Sequence, residues 1–389
     1  MKDRPILMIP GPVEFDPAVL QSMNQPGKSH VSPDFIKIFG RAIEQMREVW
    51  MYPSGQPFIM AGSGTLAMDM AAANLIEPGE KALVIATGYF GDRYVEVLKR
   101  YGADVTILAS PLGQVPNMDD IEGELKKKEY GLLTFTHVDT STAVRVDPEP
   151  IGELGKEYGV LTILDGVCSV AGEEIRQEKW NIDVVLTASQ KALGVPAGLA
   201  LMVVSPLAVA KFKARKTIVG NYYVDWNHWL PIMKAYEYGK PSYFATTAVN
   251  LVYALQTSLD QILKEGMEVR FIRHRKTASA IRSACKALGL QQIPANDAIA
   301  ANTLSAMKYP EGVSGSDLLP EITRAGAILA GGLHPEIRNS YFRIGHMGAV
   351  TQGDILATVG AIETGLLKCG YQFIPGAGIN AAFMELNSD

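Results

Sequence analysis

Short β-branched and aliphatic runs alternate, over roughly the first half of the chain, with stretches whose apolar positions recur every three or four residues. The runs at 82–87, 105–108, 132–136, 160–165 and 183–186 are too short for helices and end in turn residues, so they predict buried strands. Between them, Ser32 as N-cap and Pro33 at the first helical position open a helix. Its apolar face is Phe35, Ile36, Ile38, Phe39, Ile43, Met46 and Val49. Further helices are expected at 66–76, after the stretch at 88–93 up to Tyr101, and at 151–158. Such alternation predicts an α/β architecture with a mainly parallel sheet covered on both faces. Ligands of such sheets lie at the carboxyl ends of the strands.

A long amphipathic helix at about 247–266 is expected to lead out of this layer. The texture then changes to a helix at 269–289, a strand at 300–305, a helix at 316–325, strands at 328–330 and 341–344, and a helix at 351–368. This pattern predicts a smaller α+β domain. Residues 5–15 form an apolar arm closed by Pro10-Gly11-Pro12, which could line a pocket or strap two domains together. The expected division is an arm at 1–20, a large domain at 21–257, a small domain at 258–374 and a loosely held tail at 375–389.

Composition narrows the function classes. With 47% hydrophobic and 20% charged residues, the chain has the balance of a globular protein with a full core. A net charge of −5, with no basic run beyond Lys126-Lys127-Lys128, argues against nucleic acid as a partner. No apolar stretch reaches membrane-spanning length, and the N-terminal apolar run is too short for a signal peptide. The three cysteines, Cys168, Cys285 and Cys369, are odd in number and far apart. They fit a reducing compartment, so the cytoplasm is expected. The histidines show no metal-ligand spacing, and no metal is expected.

Chemistry is expected at Lys191, which follows the strand at 183–186 through a polar Thr-Ala-Ser-Gln turn. A lysine at a buried strand end can lose hydration and favour the neutral amine that Schiff-base formation needs. A plain loop lysine is the alternative. Gly62-Ser63-Gly64-Thr65 stands between a strand and a helix, where free N–H groups and the helix dipole suit a phosphate. A tight glycine turn is the alternative there. Gly62-x-Gly64-x-x-Ala67 matches a loose dinucleotide fingerprint, but the next strand ends without the ribose-binding acid. Gly27-Lys28-Ser29 resembles a P-loop end, yet Ser22 stands where its first glycine is required. Asp165 ends a buried strand and needs a partner in space.

These residues together resemble the class V, fold-type I pyridoxal-phosphate aminotransferases, in the alanine–glyoxylate or serine–pyruvate branch. The resemblance runs from Pro10-Gly11-Pro12 to Arg343 through five motifs: 61–65, 137–142, 164–167, 188–192 and 243–246. It implies a seven-stranded-type, mainly parallel sheet between helices, a smaller C-terminal α+β domain, and pyridoxal 5'-phosphate as cofactor. It implies that Lys191 carries the cofactor as a Schiff base and then moves the substrate proton, and that Asp165 pairs with the ring nitrogen. Phe90, where relatives usually carry tryptophan, is implied to stack on the ring, with Thr140 near its 3-oxygen. Asp139 stands where many relatives have glutamate, and its role stays open. Ser63, Gly64, Thr65 and Gln190 are implied to hold the phosphate. Tyr243 and Thr246 are implied to reach the neighbouring subunit's site in a homodimer. Arg343 would grip the substrate carboxylate, with Gly11 offering backbone contacts beside it. The implied reaction is transamination between a small amino acid, alanine or serine, and a small 2-oxo acid, glyoxylate or pyruvate. A cysteine-consuming lyase and a silent binding scaffold on the same fold are the alternatives.

Overall fold

Seven strands form the central sheet of the computed structural model, which describes residues 5–24, 26–127 and 129–388; Lys128 of the basic cluster lies outside them. Their order in space is Gln56–Gly62, Gly198–Val204, Val184–Ala188, Leu161–Asp165, Leu132–Thr136, Lys81–Ala86 and Asp104–Ala109. Only Gly198–Val204 runs antiparallel to its neighbours; every other pairing is parallel. Leu132–Thr136, Leu161–Asp165 and Val184–Ala188 are buried throughout, which explains their unbroken apolar character. Gly198–Val204 was not among the expected strands, because Gly194, Pro196 and Gly198 read as breakers; its apolar run Leu-Ala-Leu-Met-Val-Val is the signal for it.

The sequence places Ser32 correctly as the cap of helix Pro33–Val49, its hydroxyl accepting from Phe35 N at 3.4 Å. Helix Gly64–Leu75 begins earlier than the expected Leu66, inside the glycine-rich turn, with Ser63 at its N-cap position. The helix expected at 247–266 does not leave the large layer. It spans Val249–Glu265 and packs on Pro33–Val49 and Pro17–Met23. The expected boundary at 257 therefore falls inside a continuous helix. The core changes later, along helix Met267–Ala287: Met267 and Phe271 belong to the large core, Ala280, Ile281 and Ala284 to the small one.

The small domain is built on a three-stranded antiparallel sheet with Tyr341–Gly345 at its centre, flanked by Leu304–Lys308 and Ala330–Gly331. The strand expected at 300–305 starts later because Asn296 caps a short 3-10 turn at Asp297–Ile299. The strand expected at 328–330 is split. Ala327–Ile328 pairs with Ile6–Leu7 of the arm, and Ala330–Gly331 turns to pair with Tyr341–Gly345. The arm at 1–20 is not extended throughout: Asp16 caps a helix at Pro17–Met23. Nor is the expected tail loose over its described residues, 375–388. Helix Ala377–Leu386 packs on Met267–Ala287, buries Ala382 and Leu386, and is fastened where Gly376 N and Ile379 N donate to Glu363.

Candidate active site

The lysine loop is a tight connection between two antiparallel strands, Val184–Ala188 and Gly198–Val204. Ser189 is its buried pin: its N–H donates to Leu199 O and its hydroxyl to Pro196 O, while that hydroxyl accepts from Leu199 N. Gly194, at φ +66°, closes the loop by donating to Lys191 O at 2.8 Å. Lys191 therefore leaves a rigid base. Its Nζ donates to Pro10 O at 2.5 Å, and Val13 N donates to Gln190 O at 3.1 Å. The arm thus does both things its composition allowed: it lines the lysine, and it straps the small domain through Ile6–Leu7 and the Gly345 N to Met8 O bond. Gly11, at φ +128°, must be glycine, since a Cβ would stand 2.6 Å from Lys191 Cδ. Burial lowers the Lys191 pKa from its ordinary value, and the charge of Arg343 pushes it the same way.

Asp165 and the lysine strand are sheet neighbours, with Asp165 opposite Leu186, so residues far apart in sequence sit side by side. The Asp165 carboxylate is buried and accepts from Val167 N at 3.0 Å. Burial raises its pKa to about 6, against the opposing pull of that N–H and of the Lys191 charge. Gly64 lies against both elements: a Cβ there would be 2.7 Å from Val167 Cγ2 and 3.4 Å from Ala188 Cβ. Ser63 caps helix Gly64–Leu75 by position but makes no side-chain cap bond, so the first N–H groups stay available. Gln190 Oε1 is buried without a partner among the described residues, and its amide can turn either end toward a ligand. An uncapped helix N-terminus, an unpartnered amide, a buried carboxylate and a desolvated amine fit the phosphate, ring nitrogen and aldehyde of pyridoxal phosphate.

Asp139, whose role the sequence left open, is a buried carboxylate at the N-terminus of helix Tyr89–Arg100. Its Oδ2 accepts from Phe90 N at 3.0 Å and Gly91 N at 3.4 Å; its Oδ1 accepts from Ser141 N at 2.9 Å and Ser141 Oγ at 2.6 Å. Burial raises its pKa, and these four donors oppose the rise. It thereby fixes the turn that carries Phe90.

Arg343 comes from the small domain. Period-two alternation turns Phe342 and Ile344 into the small core and Tyr341 and Arg343 toward the large domain. Its Nε donates to Gly331 O at 2.9 Å and its Nη1 to Thr140 O at 3.2 Å, while Nη2 has no protein partner among the described residues. Tyr341, which sequence reasoning passed over, donates its hydroxyl to Ser141 O and accepts from Leu333 N and His334 N. The strand alternation could have found it. Tyr243 and Thr246 are exposed in the irregular segment at 240–248, with Tyr243 beside His30, and among the described residues no hydrogen bond joins either to the lysine cluster.

The lysine loop, the buried strand-end aspartate and the open helix N-terminus all stand at the carboxyl ends of parallel strands of the sheet, the arrangement expected of a pyridoxal-phosphate enzyme. The class-V aminotransferase model matches residues 19–349, and the chain belongs to that family. It is 36% identical over 357 residues to alanine–glyoxylate aminotransferase 1 of Saccharomyces cerevisiae, covering 88% of this chain and 91% of the relative. It is 30% identical to the serine–glyoxylate aminotransferase of Arabidopsis thaliana, covering 97% and 94%. The solved ureidoglycine–glyoxylate aminotransferase of Bacillus subtilis superposes with a TM-score of 0.93 at 27% identity, covering 100% of this chain and 99% of that one.

Proposed function

We propose that this enzyme passes the amino group of a small L-amino acid, alanine or serine, to glyoxylate, with pyruvate as the alternative acceptor. The observation that carries it is the opposition of Lys191 and Arg343: one desolvated amine and one free guanidinium edge, on facing domains, suit a substrate with a single carboxylate. The names of all three relatives include glyoxylate, while their other substrates differ, which supports the acceptor more than the donor.

Bound pyridoxal phosphate supplies the carbonyl that takes up the amino group and the ring that accepts the electron pair left by the departing α-proton. Lys191 holds the cofactor covalently at rest. Its amine, freed of part of its charge by burial, would take the substrate α-proton and return it. Asp165, ionised, keeps a proton on the ring nitrogen. Arg343 binds the substrate carboxylate through Nη2, with Gly11 beside it. Phe90 would cover one ring face, Thr140 would serve the 3-oxygen, and Ser63, Gly64, Thr65 and Gln190 would bind the phosphate. We also place the enzyme as a cytoplasmic homodimer in which Tyr243 and Thr246 serve the neighbouring site. Three free cysteines support the compartment, and the exposure of Ile218 (93%), Tyr222 (73%) and Tyr243 (66%) on neighbouring loops supports the dimer. The large and small domains are read as meeting along helix Met267–Ala287.

A lyase acting on cysteine would need a nucleophilic thiol. Burial pushes the Cys285 thiol up to about 12 and raises those of Cys168 and Cys369. The purified protein should be yellow, and borohydride should fix the cofactor on the peptide containing Lys191. In a donor-by-acceptor panel, alanine or serine with glyoxylate should give the highest kcat/KM. Sulfide release from cysteine with no turnover of alanine plus glyoxylate would overturn the assignment.

A further inference from the structure

Arg93 has no part in the site described so far, yet its guanidinium touches two of its components. It lies three residues after Phe90 on helix Tyr89–Arg100. Its Nη1 donates to Thr65 Oγ1 at 3.1 Å and its Nη2 to the Tyr89 hydroxyl oxygen at 3.3 Å. Its Cζ stands 4.9 Å from the centre of the Phe90 ring and 5.0 Å from that of Tyr89. Among the described residues no carboxylate pairs with it, so its charge is left for something else.

Arginine carries donors only. Thr65 Oγ1 must therefore accept from Arg93, and the threonine's own hydrogen is left to donate outward. At the uncapped start of helix Gly64–Leu75 that is the orientation an anion needs, and the guanidinium adds positive charge to the helix dipole. The contact with the Phe90 ring holds the guanidinium in place by a cation–π interaction.

We propose that Arg93 is a positioning residue for the cofactor's phosphate, acting through the Thr65 hydroxyl. The proposal rests on the reading of Ser63, Gly64 and Thr65 as the phosphate cup. It is tested on the full chain freed of cofactor, by measuring the affinities of pyridoxal phosphate and of pyridoxal, which lacks the phosphate, through quenching of protein fluorescence. R93Q is expected to weaken pyridoxal phosphate by about tenfold or more and pyridoxal by less than about twofold, the scale of one charge-assisted hydrogen bond. R93K, which keeps the charge and loses the fork, should fall between R93Q and wild type and serves if R93Q folds poorly. R93Q combined with T65V should be no weaker than the weaker single variant. Equal loss for both ligands would make Arg93 a mere support of Phe90 and overturn the proposal, as would no loss for either. If T65V alters the preference for the phosphorylated ligand and the Arg93 variants do not, the cup stands and Arg93 falls. If T65V leaves that preference unchanged, the cup is misassigned and the inference goes with it.

Discussion

Asp165 is the residue on which burial and chemistry pull hardest against each other. Its carboxyl rises to about 6 because the site excludes water, whereas pairing with a protonated ring nitrogen requires the ion. The affinity of the cofactor-free protein for pyridoxal phosphate should therefore fall as pH drops from 7 to 5, with a midpoint near 6. Stability runs the other way. A carboxyl whose folded pKa is raised contributes stability below its unfolded value and loses it as pH rises through about 6. Cofactor-free D165N should accordingly gain thermal stability over wild type as pH rises from 3 to 7, the loss it escapes being roughly 3 kcal/mol. A melting-temperature difference that stays flat across that range would contradict the buried-ion account. The surrounding core tolerates this cost because each fully buried aliphatic side chain returns about 2 kcal/mol. Lys191 was legible as a strand-end lysine. Its carbonyl partner Pro10 was not, because nothing in the spacing of the two segments says that they meet.

Among the elements, the start of helix Tyr89–Arg100 shows how the turn carrying Phe90 is held. Asp139 and Ser141 lace the loop at 139–142 to the turn at 87–91, and Tyr89 N also donates to Ser141 Oγ at 3.1 Å. Gly88 has no room for a side chain there, since a Cβ would lie 2.6 Å from Ser141 Oγ and 2.7 Å from Asp139 Cγ. D139N must turn an amide N–H₂ toward backbone donors on one side or the other. It is expected to cost about 1–3 kcal/mol in denaturant unfolding and to disturb the near-ultraviolet dichroism of the bound cofactor. An unaltered signal from a folded variant would mean that Asp139 does not position Phe90. The order of strands and helices here was readable from their periodicity. The antiparallel strand Gly198–Val204 was not, because its direction depends on how the lysine loop closes on Ser189.

For the whole molecule, the two halves of the site belong to different layers, and a second copy is proposed to complete it. K191A and the double variant Y243A/T246A should each be nearly inactive alone. Mixed under conditions of subunit exchange, they should recover activity, because a heterodimer would pair an intact Lys191 with intact Tyr243 and Thr246 from its partner. Statistical exchange sets the ceiling at about a quarter of wild type. No recovery in mixtures shown by mass spectrometry to contain heterodimers would remove these two residues from the neighbouring site.

What the chain determined alone was local. Apolar runs set most of the buried strands, Ser32-Pro33 set a helix start, and Gly62-Ser63-Gly64-Thr65 set the passage from strand Gln56–Gly62 into helix Gly64–Leu75. Several motifs in family order were enough to point to Lys191, Asp165 and Arg343. Tertiary structure decided what depends on approach between distant segments. It laid the arm against Lys191, turned Asp139 onto a helix N-terminus, brought Arg343 to Thr140, and packed residues 377–386 as a helix instead of a tail. Spacing along a chain encodes period and turn, whereas desolvation and hydrogen-bond partnership belong to surfaces that exist only once the layers close.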